Sequence, residues 1–560
     1  MSHTELIREC SRANSDGDTG YCILSSAPSM AAVLQAIPGS AAALPIGILN
    51  ANSVYIYGFA ETTSSRWLLR LLTGIDGADI CTTKALAANV SVTDDFPEMC
   101  GPMSGVHASV KLTVKDCFLD IQHQARGFQP IVKASEGEIF ASFVRNGVSL
   151  FLNSCSEVID IGAPAARYFD VKDHFCSAVP ITFYLKWAFA NLCPIGTETR
   201  ASLIVDDPLL KPRYGFMRFR DAVELMDSHN FTTTIAFIPW NWRRTNPETV
   251  LQFHERVDRL SICVHGCDHT AGEFAARSTA LLNRRIKIAG RRMELLSQKT
   301  LLQPDRVMVF PQGAFSPEAG RALKLSGFVA AVNTEVAPSG AITNDTTIAD
   351  NWNLANMKYG TFPIFTRRYL EHGIENFAFD GLLGKPCLIV AHHEIFRDRG
   401  RELAEFVDRL NSLRWNLRWC SLGDAVRHGF TRHVNSEGEQ KIQMYAHNVV
   451  IENSSTERRE AVVMKEESDP ECARVVVNQE SIEHVFKGKQ LQFRITIPPG
   501  ESVDVCIAYL DNSELDCDND GFTYRVKTRA RRHLSEFRDN YIAQNNLLHS
   551  IATRVRKLLS

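Results

Sequence analysis

The sequence predicts an α/β chain built on a distorted (β/α) barrel, with an N-terminal α/β accessory domain before it and a C-terminal β-sandwich plus terminal helices after it. Three observations lead there. Between residues 196 and 430, apolar runs of strand type recur with helical segments between them: Leu203-Ile-Val205, Thr233–Ile238, Leu260–Val264, Val307–Phe310, Phe328–Val332 and Leu388–Ala391. From 435 to 510 the runs shorten and are separated by turn residues such as Asn453-Ser-Ser and Pro498-Pro-Gly500. A chain of 560 residues also exceeds what one hydrophobic core usually holds.

The central region is a barrel candidate because strands alternating with helices form parallel βαβ units, and six or more such units can close. Its helices include Arg218 to His229 and Ala280 to Lys299. In such a barrel the chemistry gathers at the C-terminal ends of the strands. Asp206-Asp207, His265, Pro311 and His392-His393 all stand just after a predicted strand.

Residues 1–195 mix short strands (Ser53–Gly58, Ala108–Val114) with a helix-compatible pattern at Arg66–Leu72, and Gln129–Lys133 with Val148–Leu152 reads as a hairpin. No nucleotide loop and no Ser-His-Asp or Cys-His arrangement is legible there. Residues 431–515 read as a small antiparallel β-sandwich. In 516–560, Leu534, Phe537, Tyr541, Leu548, Ile551, Val555 and Leu558 fall near helical spacing, which predicts helices packed on the body or on a second subunit.

A net charge of -3 gives no electrostatic case for nucleic acid or an anionic membrane as main partner. The basic run Arg525–His533 is followed at once by Glu536 and Asp539, so a solvated helix face is the favoured reading. The N-terminus lacks a signal-peptide pattern, no stretch is apolar enough for a membrane span, and 15 cysteines without a framework fit a reducing compartment. The expected location is cytoplasmic.

The chemistry centres on Ala201-Ser-Leu-Ile-Val-Asp206-Asp207-Pro208 and His265-Gly-Cys-Asp-His269. Two imidazoles at i and i+4 plus one carboxylate make a three-ligand site whose open position activates water. Adjacent carboxylates push their proton affinities apart unless a cation neutralises one, so one aspartate faces the metal and the other the water. A cap before Pro208 is the bland alternative for the pair, and a thiolate-zinc set through Cys263 and Cys267 is disfavoured because it strands His269. Asp268 reads as a surface or supporting residue.

With these motifs in order, the chain resembles the polysaccharide deacetylases of the NodB type, a carbohydrate esterase superfamily, as a divergent branch. The resemblance implies Asp206 as general base, Asp207, His265 and His269 as metal ligands, and a His after the Leu388–Ala391 run as general acid. Alignment favours His392, with His393 the alternative. Gly266 stands where the family has a hydroxyl residue, and Val309 stands where its third motif has Arg, while Pro311 is retained. The nearest match to the family's Asp-Trp motif is Ala349-Asp350-Asn351-Trp352.

Arg367 or Arg368 can replace the missing Arg or hold an anionic substrate group, and Trp240 or Trp242 can stack on a sugar. Pro311, Trp240 and Arg367 are therefore the substrate-binding candidates. The expected function is metal-dependent removal of an N-acetyl group from a sugar or glycan-related substrate, with Zn2+ the first choice of metal. The alternatives are an inactive carbohydrate-binding or assembly protein on the same barrel, or a deacylase acting on another C–N or ester bond.

Overall fold

The computed structural model describes residues 21–37, 51–121, 127–165, 167–190, 193, 195–196, 198–340, 346–434, 439–468, 473–509 and 521–544. Two units emerge. One comprises Met1–Asp160, Asp170–Cys193 and Leu413–Trp415, and the other Ile161–Phe169, Pro194–Ser412 and Asn416–Ser560. The second unit therefore holds the barrel, the sandwich and the C-terminal helix together.

The first unit is a mixed sheet. Cys22–Ser26, Ser53–Tyr57 and Val148–Asn153 run parallel, and Val148–Asn153 continues antiparallel through Gly137–Arg145 to Gln129–Ala134. Helices Ala27–Gln35 and Thr63–Thr73 bury Leu34, Leu68, Leu69 and Leu72 in one core with Val54, Ile56, Leu150 and Leu152. The hairpin expected between Gln129–Lys133 and Val148–Leu152 is not formed directly, because Gly137–Arg145 lies between them and pairs with both. That strand is buried without interruption from Glu138 to Phe143, so it shows no alternation by which sequence could find it.

In the second unit the barrel strands are β1 (Thr199–Asp206), β2 (Thr233–Phe237), β3 (Leu260–His265), β4 (Asp305–Val309), β5 (Ala330–Asn333), β6 (Ile364–Thr366 with Arg368–Tyr369) and β7 (Cys387–Ala391), and Leu417–Trp419 adds a short parallel strand beside the start of β1. The first half of β6 pairs with β5 and the second half with β7, while β7 pairs with β1. The two ends of the sheet are thus halves of one stave, and the barrel closes at Arg367. Register carries one side-chain parity around it: Asp206 is level with Ala236, Ala236 with Cys263, His265 with Val309, Val309 with Val332, and Val332 with Phe365. Side chains alternate along a strand, so Arg367, two residues past Phe365, shares the inward face with Asp206.

The helices form for local reasons that the long one (Thr279–Thr300) illustrates. The Ser278 side chain accepts the Leu281 N–H at its start, and Leu301 in the left-handed region ends it. Leu282, Ile286, Ala289, Met293 and Leu296, at three- and four-residue spacing, are among its buried positions. Each large apolar side chain so buried stabilises the fold by roughly 1.5–3 kcal/mol.

The barrel interior is apolar at its N-terminal end, where Ile204, Val307, Ala330 and Leu388 share a core with Leu422, Ala425 and Phe430. That core runs on without a break into the sandwich through Ile442, Val463, Val475 and Phe493. Lys324 and Glu467, both buried, add an ion pair between a barrel helix and the sandwich. Among the described residues the sandwich has one parallel pair, Gln440–Met444 with Arg459–Glu466, in addition to the expected antiparallel ones.

The C-terminal helix, Phe522–Phe537, packs back on its own barrel, but on the face opposite to the one expected. Leu534, Phe537 and Tyr541 are 68%, 53% and 63% exposed, whereas Thr528, Arg532 and Asp539 are buried. The surface beneath it is the polar barrel mouth, so its polar side turns inward. Leu548, Ile551, Val555 and Leu558 lie outside the described residues. No helix among the described residues is long and apolar enough to cross a membrane.

Candidate active site

The C-terminal end of the barrel gathers the carboxylates and imidazoles that the sequence singles out. Asp206 ends β1 facing inward, and the backbone then turns through a left-handed conformation at Asp207 (φ 80). Two consecutive carboxylates are thereby sent to different partners. Asp207 Oδ1 lies 3.7 Å from His265 Nε2 and 3.3 Å from His269 Nε2. This oxygen is buried without a hydrogen-bond partner among the described residues.

These three donors fit a metal ion. A tetrahedral Zn2+ about 2.1 Å from each donor sets donors about 3.4 Å apart, close to the separations found. His265 Nδ1 lies 3.0 Å from the Val309 carbonyl, which can only accept, so Nδ1 is the donor and Nε2 is the nitrogen turned to the site. Burial, against a smaller opposing pull from Asp207, pushes His269 down to about 4, so it is neutral and ligand-competent at pH 7.

The loop that presents the histidines is held by a residue the sequence reading missed. The Glu273 carboxylate accepts the backbone N–H groups of Cys267, Asp268 and His269 at 3.0, 2.8 and 3.1 Å. Gly266 has φ 63, and a Cβ there would stand 2.4 Å from Pro311 Cγ, which explains glycine in place of the hydroxyl residue. Pro311 is buried against this turn, so it supports the histidine loop instead of lining an open groove. Asp268, fully buried, accepts from Arg285 at 2.7 Å, from the Tyr524 hydroxyl at 2.7 Å and from Arg292. Cys267, Asp268 and Glu273 also cluster closely, but both carboxylates are committed to these partners.

Replacing Glu273 by Ala is expected to loosen the loop. Loss of three charge-assisted bonds should cost about 2–3 kcal/mol in denaturant unfolding and lower metal affinity by about 10–100-fold in a chelator competition. Unchanged metal affinity in that variant would show that the loop is ordered by something else.

Asp206 is clamped by Arg367. Nη1 and Nη2 of the guanidinium donate to Oδ1 and Oδ2 at 2.7 and 2.8 Å, and both side chains are buried. Burial alone would raise the Asp206 carboxyl, but the Arg367 charge, with smaller help from His265 and His392, brings it down to about 2. Both Nη atoms of Arg367 are thus taken by Asp206, with only its buried Nε unpartnered among the described residues, which agrees with the alternative in which it replaces the missing Arg. Arg368, of opposite parity, grips Asp380. Asp350 caps a short helix with Thr347, and Trp352 packs on Phe169 and Phe379, so the Asp-Trp pair is structural.

The two terminal histidines separate cleanly. His392 is exposed, faces the Tyr369 ring at 6.4 Å and lines a cavity of about 470 Å³ with Glu394, Arg397 and Arg401. His393 turns the other way and is buried between the Tyr214 and Phe216 rings, 3.8 Å from Asp539. Trp240 is half-buried, its backbone N–H bonded to the Cys267 carbonyl at 3.1 Å, and Trp242 lies under Arg243.

No protein-family model matches the chain, and no curated protein does. Solved structures do. The carbohydrate deacetylase Agd3 is 10% identical, with 88% of this chain and 99% of that one covered at a TM-score of 0.42. The peptidoglycan deacetylase PdaC from Bacillus subtilis is 10% identical over 41% of this chain and 92% of its own, at 0.26. BA3943, a CE4 family pseudoenzyme from Bacillus anthracis, is also 10% identical over 42% and 68%, at 0.26. At such identities and scores the likeness identifies no activity, because one fold hosts many.

Proposed function

We propose that the chain is a metal-dependent hydrolase that removes the acetyl group from an N-acetylated sugar or glycan-related substrate. The observation that carries this reading is the placement of the clamped Asp206–Arg367 pair beside the Asp207, His265 and His269 donor set at one barrel mouth. The motif order of the sequence supports an N-acetyl substrate.

Asp207 Oδ1 and the Nε2 atoms of His265 and His269 would hold a divalent cation, with Zn2+ the first choice for such a donor set. Bound there, it supplies Lewis acidity toward a carbonyl and toward water. Asp206, kept ionised by Arg367, accepts the proton of the attacking water at a carboxylate oxygen. Arg367 fixes the plane of that carboxylate, replacing through β6 the arginine that Val309 in β4 does not supply. His392 gives a proton from its ring to the departing amine, whose sugar sits toward the Tyr369 and Arg397 cavity.

The test is acetate release from N-acetylated sugars by protein reloaded with Zn2+, Co2+, Ni2+ or Mn2+. Release is expected from the loaded wild type and should fall about 10²–10⁴-fold in Asp206→Asn. Failure to release acetate with any of these metals, or full activity in Asp206→Asn, would contradict the reading.

A further inference from the structure

The basic run near the C-terminus is not one solvated face. Its helix lies across the barrel mouth, pinned at one end to the histidine loop and at the other to the hairpin that follows Asp207. At the first end the Tyr524 hydroxyl donates to Asp268 Oδ2 at 2.7 Å, and Arg531 Nη2 donates to the Asp268 carbonyl at 3.0 Å. At the other, the Tyr214 hydroxyl donates to Asp539 Oδ2 at 2.6 Å and the Gly215 N–H to Asn540 Oδ1 at 2.7 Å. Between them Glu536 takes Lys211 and Arg244.

Arg532 sits midway along this span and is treated differently from its neighbours. It is 8% exposed, its Nε is buried without a partner, and its guanidinium has no hydrogen bond or ion pair among the described residues. Asp207, Tyr214 and Asp539 attract its charge and Arg531 repels it, and it in turn disfavours a charge on His269. A desolvated guanidinium with unused donors is costly unless something accepts from it.

The acids nearby are already engaged. Asp539 accepts from the Tyr214 hydroxyl and from Arg538, and Asp206 belongs to Arg367. Asp207 is the carboxylate that a cation at the donor set would neutralise. With that cation bound, the mouth carries an excess of positive charge around Arg532, and the guanidinium fork matches a planar or tetrahedral oxyanion.

We infer that Arg532, delivered by the C-terminal helix, is a specificity residue that binds an anionic group, carboxylate or phosphate, on the N-acetylated sugar. The inference rests on the reading of the neighbouring residues as a hydrolytic site. The helix is then part of the active site, and a substrate carrying an acidic group is preferred over its neutral counterpart.

The experiment uses the full chain and three probes: N-acetylglucosamine, N-acetylglucosamine 6-phosphate and N-acetylglucosaminuronic acid. Equilibrium binding is measured by calorimetry and acetate release by assay, both on Zn2+-loaded protein. The wild type is expected to bind at least one charged sugar about tenfold or more tightly than the neutral one, and the stronger of the two identifies carboxylate or phosphate. Arg532→Gln should remove that preference by raising Kd and KM for the charged sugar alone. Arg532→Lys should restore part of it, and exposed Arg529→Gln should leave it intact.

Equal binding of neutral and charged sugars by the wild type would overturn the inference, as would equal losses for both sugars in a folded Arg532→Gln. Acetate release without discrimination would overturn it while leaving the hydrolase reading standing. A charge preference in binding without acetate release would support the anion site and contradict the hydrolase.

Discussion

Arg367→Met is expected to be the most damaging single substitution at the barrel mouth, lowering the unfolding free energy by about 3–5 kcal/mol, because it leaves a buried carboxylate without its counter-ion. The pH dependence should also change sign. In the wild type, Asp206 is held down to about 2 in the folded state, below the ordinary value of 3.8. The unfolded chain then binds more protons between these values, so this group's contribution is full above the ordinary value and is lost as pH falls toward about 2. In Arg367→Met, burial is opposed only by the smaller pull of His265 and His392, and the carboxyl rises above its ordinary value. The folded state then binds more protons, and stability should fall as pH rises above about 4. Urea unfolding of chelator-treated protein from pH 3 to 7 reads both slopes. Parallel curves for wild type and variant would contradict the clamp. The double variant Asp206→Leu with Arg367→Met should recover much of the lost stability, since it removes both charges.

His392→Gln and His393→Gln are expected to fail in different ways. His392 is exposed beside the cavity, so its loss should lower kcat by about 10²–10⁴-fold with unfolding free energy unchanged within about 0.5 kcal/mol. His393 is packed between Tyr214 and Phe216 and paired with Asp539 under the C-terminal helix. Its loss should appear as about 1–3 kcal/mol of destabilisation. A reversed pattern, with His393→Gln stable but inactive, would exchange their roles.

The barrel strands were legible because a parallel sheet covered on both faces reads as apolar runs, and the histidine pair because its spacing follows a strand directly. What was not legible depends on ring closure. Arg367 reaches Asp206 only because β6 pairs with β5 by its first half and with β7 by its second, a relation that no local pattern encodes. The visible signal was two arginines in the run Phe365-Thr-Arg367-Arg368-Tyr369, where burial demands a partner for each, and Asp206 and Asp380 are those partners. The choice between His392 and His393 likewise needed the register of β7 against β1, which gives His392 the parity of Asp206. The C-terminal helix misled because amphipathicity normally turns the apolar side inward. Here the mouth it covers is made of Asp207, Tyr214, Asp268 and Arg244, and its polar residues meet it.

The most direct test is the metal content of the purified chain after reloading and desalting. About one divalent ion per chain is expected in the wild type and in Asp206→Asn, whose altered side chain belongs to Arg367, with near-complete loss in Asp207→Ala and His265→Ala. A wild type that retains no ion, or an Asp207→Ala variant that retains as much as the wild type, would contradict the site.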